Sequence, residues 1–348
     1  MANKGHNILW PADTEVLVRV AILHVGQGAS ALVFMADGDT YRTLLVDINL
    51  DSKAEGIDVP KLVADVVGSN GLGVFVNTHP HSDHLCGITP LGEAVSIGEV
   101  WHSGHVPGPD DRAAYDDLQK LIKKVTKAGG AEMEMRGSDD PTTIGEAECY
   151  ILAPADYVKE EIGDEPPKER RKRIHEQSAV LKFGDGERWI MIPGDADRDA
   201  WEMHITKHHK DRIGADVLAA AHHGSRSYFK HDEEDEPYLE ALRGTAPTYV
   251  IVSAPRAAES RHDHPHPDAM DLYEEEVGKG NLLHTGEDRH SFICDILRDG
   301  TVNVASDDGE LVEAYPYTTG DGDGGGTKQS GAVKTTAPAI LGNDGRSA

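Results

Sequence analysis

The chain is poor in cysteine. Cys86, Cys149 and Cys294 are the only three in 348 residues, and they form neither a C-x-x-C pair nor an even set. That excludes a disulfide framework and a zinc ribbon built from cysteine, and a reducing compartment is the simple expectation. Positive charge is scarce too: 34 Lys and Arg stand against 61 Asp and Glu, a net charge of −27. A protein that coats long DNA or RNA needs a basic surface, so this is not an obvious member of that class. A locally neutralised site could still take a phosphodiester, and the acidity serves solubility or suits a salty host. No apolar run approaches the roughly 20 residues of a membrane span. The opening MANKGHNILW lacks the basic-then-apolar pattern of a secretory signal. The expectation is a cytoplasmic protein without a membrane partner.

What the chain does carry is an alternation of strand and helix signals. VLVRVAILHVGQGASALVFMADGDTYRTLLVDINL reads as three strands, with turns at Gly26-Gln27-Gly28 and Asp37-Gly38-Asp39. DVPKLVADVVGSNG reads as a helix stopped by glycine. In DDRAAYDDLQKLIKKVTKAGG, Tyr115, Leu118, Leu121, Ile122 and Val125 recur at helical spacing before Gly129-Gly130. SAVLKFGDGERWIMIPGDA is a hairpin pattern turning at Gly184-Asp185-Gly186, and SFICDILRDGTVNVAS is a last hairpin. DEPPKERRKRIHEQ is polar and irregular, which predicts a surface loop. Residues 318–348 are rich in Gly, Ser, Thr and Asp without periodicity and are expected to be a disordered tail. Residues 1–317 are then one domain. Two groups of strands interleaved with helices imply a layered α/β fold.

Two apolar strands run straight into histidines. The first, LGVFVNTHPHSDH, ends in His79, His81, Asp83 and His84. His79 and His81 are two apart and project to one side of an extended segment. The turn that follows adds a carboxylate and an imidazole, so one short loop can serve two metal ions. Imidazole and carboxylate suit zinc, and also manganese or iron. The second, ADVLAAAHHGS, ends in His222 and His223. A third strand end, IMIPGDAD, delivers Asp195, a carboxylate able to bridge two ions or to serve only as a turn aspartate.

These stretches together resemble the metallo-β-lactamase fold superfamily, and within it the hydrolase domain of the ComEC/Rec2 competence proteins in a stand-alone soluble form. HVGQGAS, LLVDIN, THPHSDHLCGI, SAVLKF with WIMIPGDA, AAHHGS and HPHPDAM carry the likeness, in order, from about Val16 to Val304. H-x-H-x-D-H marks the superfamily; HHGS with the HP segment narrows it to this branch. The resemblance implies a four-layer αββα sandwich: two mixed β-sheets face to face, helices outside, metals along one rim. It implies two divalent ions, zinc or manganese. His79 and His81 would bind the first, Asp83, His84 and His222 the second, with Asp195 between them and Asp47 orienting a ligand histidine. One position departs from the superfamily, where another histidine often completes the first ion. Here His175 is either that ligand or a loop histidine.

The ions would lower the pKa of a water held between them for attack on the substrate. His223 or His264, with Ser225, would steady a phosphate or protonate the leaving group. The expected function is a phosphodiesterase or nuclease on single-stranded or small nucleic acid, or on nucleotides. The competing readings are a thioester, lactone or β-lactam hydrolase and a non-catalytic metal-binding module. Other candidates stay open. His102 and His105 line the cleft or sit on the surface. Lys168 to Arg173 forms a solvated face or holds substrate phosphates. Cys86 is expected to pack, and His204, His208 and His209 to face solvent.

Overall fold

The computed structural model describes residues 3–51, 53, 55–155, 157, 166–260 and 263–318. The expected tail, apart from Thr318, lies outside the described residues.

One sheet contains β1 (Val16–Ile22), β2 (Ala31–Asp37), β3 (Thr40–Val46), β4 (Leu72–Asn77), β5 (Ile97–His102), β6 (Ala131–Glu134), β14 (Phe292–Leu297) and β15 (Val302–Ser306). Their spatial order is β15-β14-β1-β2-β3-β4-β5-β6. The hairpins β1-β2-β3 and β14-β15, joined by a long-range antiparallel pairing of β14 with β1, make the β15 to β3 half antiparallel, and crossovers make β3 to β6 parallel. The other sheet contains β7 (Thr142–Ile144), β8 (Ala147–Ala153), β9 (Val180–Gly184), β10 (Trp189–Ile192), β11 (Val217–Ala219), β12 (Tyr249–Val252) and β13 (Leu282–His284). Its order is β13-β12-β11-β10-β9-β8-β7, parallel from β13 to β10 and antiparallel beyond.

Three apolar cores fix the layers. Val20, Val33 and Leu44 of the first sheet meet Ile151, Phe183 and Ile190 of the second between the two sheets. Phe34, Leu45 and Phe75, on the opposite face of the first sheet, pack on Leu62, Leu91 and Leu118. Those three leucines belong to α2 (Val59–Val67), α3 (Ile88–Ala94) and α4 (Arg112–Lys127). The outer face of the second sheet packs Met191, Leu218 and Val250 under Trp201 and Tyr273. Strands covered on both faces read as nearly continuous apolar runs, as ALVFMA does. The result is an αββα sandwich, the architecture expected from the sequence. Each fully buried Leu, Val or Phe contributes roughly 1.5–3 kcal/mol.

Local signals place the helices. Asp58 caps α2 by accepting a bond from Lys61 N, and Pro60 occupies its first turn. Leu118, Leu121, Ile122 and Val125 are the buried face of α4. The sequence KERRKRIHE, expected as loop, is instead α5 (Pro167–Glu176). Its only apolar residue is Ile174, so it has no stripe for a periodicity reading to find; polar contacts dock it. A short helix, α1 (Lys4–Leu9), was also not anticipated. No helix among the described residues is long and apolar enough to cross a membrane.

The parallel strands β3, β4, β10, β11 and β12 all end at the same rim, and each is followed within three residues by a polar one: Asp47, Thr78, Asp195, His222 and Ser253. Parallel sheets collect function at their carboxyl ends because every strand delivers its loop there.

Candidate metal centre

The support for this rim begins with Asp47, fully buried after β3. Its carboxylate accepts from Thr78 N at 2.8 Å, Thr78 Oγ1 at 2.6 Å and Asn77 Nδ2 at 3.2 Å, and lies 2.7 Å from His84 Nδ1. A carboxylate at Nδ1 makes that nitrogen the donor, so the lone pair of His84 is on Nε2. The same logic runs one residue on. Thr78 donates its hydroxyl proton to Asp47, so it accepts from His79 Nδ1 at 3.1 Å. His79 then presents a bare Nε2. His223 Nδ1 lies 3.1 Å from the carbonyl of Ser253, which again leaves Nε2 as the free nitrogen.

Asp195 enters from β10. Gly194 has φ +52°, and a Cβ there would lie 2.5 Å from Ser178 Oγ and 2.9 Å from Thr78. Only glycine lets the backbone come this close. The approach is fixed by Asp195 N donating to Ser178 Oγ at 3.0 Å. Gly28 plays the same part opposite: at φ +124°, its Cβ would lie 2.3 Å from the carbonyl of Asp83.

The side chains converge in two groups. His79, His81, His175 and Asp195 offer ligand atoms within 4.8 Å of one another, and so do Asp83, His84 and His223. Asp195 faces both groups. Its Oδ2 is 3.4 Å from His79 Nε2 and 3.8 Å from His175 Nε2. Its Oδ1 is 3.1 Å from His84 Nε2 and 3.4 Å from His223 Nε2. His175, left open by the sequence, sits 3.0 Å from His81 through Nε2 and Nδ1 and joins the first group.

His222, expected at the second ion, has different neighbours: the imidazole grouped with Asp83 and His84 is that of His223, while His222 reaches Asp195 from the other side. Both residues are left-handed, with φ 49° and 55°. Such a conformation costs about 1–3 kcal/mol per non-glycine residue and concentrates at functional sites. It sends the two rings apart, to centroids 6.1 Å from each other. His222 turns toward His175 and His264, at ring distances of 4.4 and 4.9 Å, with Nδ1 2.8 Å from Ser227 Oγ and Nε2 3.4 Å from Asp195. Ser225 is buried, and its Oγ accepts from Ser227 N, capping the turn Arg226–Tyr228. Sequence reasoning missed Thr78, Ser178 and Ser227. The available signal was position alone, since each adjoins a recognised motif or strand.

The remaining candidates lie outside both groups. His102 and His105 are buried rather than superficial, and His102 Nε2 is 3.0 Å from Glu132. Lys168 to Arg173 lies in α5, where Arg171 pairs with Asp111, Lys172 with Asp199 and Arg173 with Glu176. Cys86 is half-buried against Leu50, and burial pushes its thiol pKa up. His208 is exposed, but His204 turns inward to Glu176 at 2.8 Å.

Do these residues fit metal ions? His79 Nε2 and Asp195 Oδ1 are buried and make no hydrogen bond. An unpaired buried polar atom costs about 1–3 kcal/mol, and two of them aimed into one histidine-lined space fit a cation that would satisfy both. Burial, reinforced by neighbouring imidazoles, holds His81 and His175 well below the ordinary histidine pKa and takes His222 down to about 4. His223 is lowered chiefly by burial. Neutral imidazoles are the ligating form. His84 departs from this: burial again favours the neutral ring, but the Asp195 and Asp47 carboxylates outweigh it and raise its pKa well above the ordinary value, so a cation there would displace a proton. Burial opposes the charge on Asp195, but His84, His222, His223 and His79 outweigh it and keep the carboxylate ionised, its pKa well below the usual value.

No protein-family model matches the chain, and no curated protein matches it. Among solved structures, one described as "Crystal Structure of a New Diphosphatase from the PhnP Family" aligns over 77% of this chain and 94% of that chain, at 13% identity and a TM-score of 0.38. Similarity at that level bears on neither the site nor the substrate.

Proposed function

We propose that the protein is a dinuclear metal-dependent phosphodiesterase of ComEC-like type, acting on small or single-stranded nucleic acid or on nucleotides. The observation that carries this reading is the single carboxylate of Asp195 facing two buried ligand groups with one oxygen each. His79, His81, His175 and Asp195 would hold one divalent ion, and Asp83, His84 and His223, with Asp195, the other. Such ions, zinc or manganese by the chemistry of the ligands, supply Lewis acidity toward water and phosphoryl oxygens.

The chain's own groups do the rest. Asp47, Thr78 and the Ser253 carbonyl hold three imidazoles in the tautomer that leaves Nε2 available. His222, oriented by Ser227, and His264 flank the ligand groups without belonging to them. They are the groups we assign to the phosphate and the leaving oxygen. Ser225 caps a turn with its oxygen and keeps its hydroxyl proton to donate beside them. The acidic surface favours short or single-stranded substrates over duplex.

The test is metal content of the purified protein, then cleavage of labelled single-stranded DNA, RNA and bis-p-nitrophenyl phosphate with zinc or manganese. A His81→Ala/Asp195→Ala double variant is the blank. About two ions per chain and cleavage lost in the blank are expected. Turnover of a thioester or lactone without phosphodiester cleavage would overturn the substrate class; fewer than one ion would overturn the dinuclear reading.

A further inference from the structure

α5 carries His175 at its end, and the segment after Asp195 enters a π-helix at Ala200–Ile205. The spacing of His175 and Asp195 thus depends on how α5 docks on that π-helix. Two polar contacts make the docking. Lys172 Nζ is 2.8 Å from Asp199, and Glu176 Oε1 is 2.8 Å from His204 Nε2. On α5 the partners are four apart and share a face. On the other segment they are five apart. An α-helix has 3.6 residues per turn and would rotate Asp199 and His204 away from each other; the i→i+5 pattern of a π-helix brings them back to one side.

The second contact is the buried one. The Glu176 side chain is 5% exposed and that of His204 11% exposed. A buried carboxylate must be paired, and Glu176 is paired on both oxygens: Oε2 accepts from Arg173 at 2.8 Å and Oε1 faces His204. The arrangement continues outward. His204 donates through Nε2, so its Nδ1 is an acceptor, and Tyr157 Oη lies 2.7 Å from it and 3.0 Å from His208 Nε2. Tyr157 therefore donates to His204 and accepts from His208, which fixes the ring of His204 from behind.

From this geometry we infer that Glu176 and His204 are positioning residues for the first ion: their contact ties the helix bearing His175 to the segment bearing Asp195 and sets the spacing of those two ligands. Neither residue touches the ion. The inference rests on the metal reading of the site.

The experiment is a cobalt(II) titration of the full chain, followed by visible absorption and by chelator competition, with circular dichroism of the metal-free variants as the folding control. His175→Ala identifies which binding phase belongs to the first ion. His204→Phe fills the same space without a donor and is expected to weaken that phase about tenfold, within the range for supporting residues, leaving the other phase unchanged. His204→Gln, whose amide can still donate to Glu176, is expected to recover most of the loss. His204→Phe with both phases unchanged overturns the inference while sparing the metal reading, as does equal weakening of both phases. Wild-type protein that binds no cobalt overturns both.

Discussion

Asp47 adopts a left-handed conformation, φ 56°, directly after β3. Aspartate tolerates that region better than most residues, and the kink aims its carboxylate at Thr78 and His84. Asp47→Ala should lower affinity for the ion at His84 about 10–100-fold, read by zinc competition with a chelating dye; unchanged affinity would mean that packing alone orients the ring. The paired histidines give a sharper contrast. His223→Ala is expected to remove one ion from the chain. His222→Ala should leave both ions bound and lower kcat about 10²–10⁴-fold. Metal analysis beside steady-state kinetics decides between them, and loss of an ion in the His222 variant would return that residue to the second group. Gly28 is the backbone counterpart. Gly28→Ala forces Asp83 to move, so weaker ion binding with a cooperative fold retained is the expected outcome.

At the scale of elements, helix α4 and strand β9 separate stability from chemistry. Leu118, 1% exposed on α4, packs in the core under the first sheet and belongs to neither candidate group. Leu118→Ala should cost about 2–5 kcal/mol in chemical denaturation, with metal content unchanged. Lys182, on β9, is 2% exposed, with its ammonium 4.4 Å from the Trp189 ring and bonded to the carbonyl of Arg212. Burial brings its pKa down to about 8 from an ordinary 10.5. Between those values the unfolded chain holds the proton more tightly than the folded one, so stability contributed here rises with pH from about 8 upward. Lys182→Met should remove that slope from the pH dependence of unfolding; identical slopes in both proteins would show the lysine to be solvated. α5 is the element least legible beforehand. A helix docked by Lys172 and Glu176 has the composition of a loop, and only the partners Asp199 and His204, contributed from elsewhere in the chain, reveal it.

For the molecule as a whole, a net charge of −27 sets up self-repulsion that favours expansion. The screening length falls from about 10 Å at 0.1 M salt to about 3 Å at 1 M, so the melting temperature should rise by several degrees over that range of KCl. A flat response would mean that local ion pairs already balance the charge. The same field repels polyanions, which is why cleavage of short substrates should exceed that of duplex DNA at low salt.

The sequence by itself determined most of the strands and helices and the stretches that meet at the rim, and the resemblance those stretches carry implied the layer order. Strand and helix periods are local properties, and H-x-H-x-D-H places four candidate ligands of two types within one turn regardless of what surrounds them. The hairpin ending in Gly194-Asp195 was equally local. Tertiary structure alone decided three things: that Asp195 addresses both groups, that His223 rather than His222 lies beside Asp83 and His84, and that His175 reaches His81. Each depends on backbone geometry or on docking between distant segments. Two adjacent histidines have identical chemistry in sequence. Their left-handed φ values, and the partners Ser253 and Ser227 on either side, are what make them different residues.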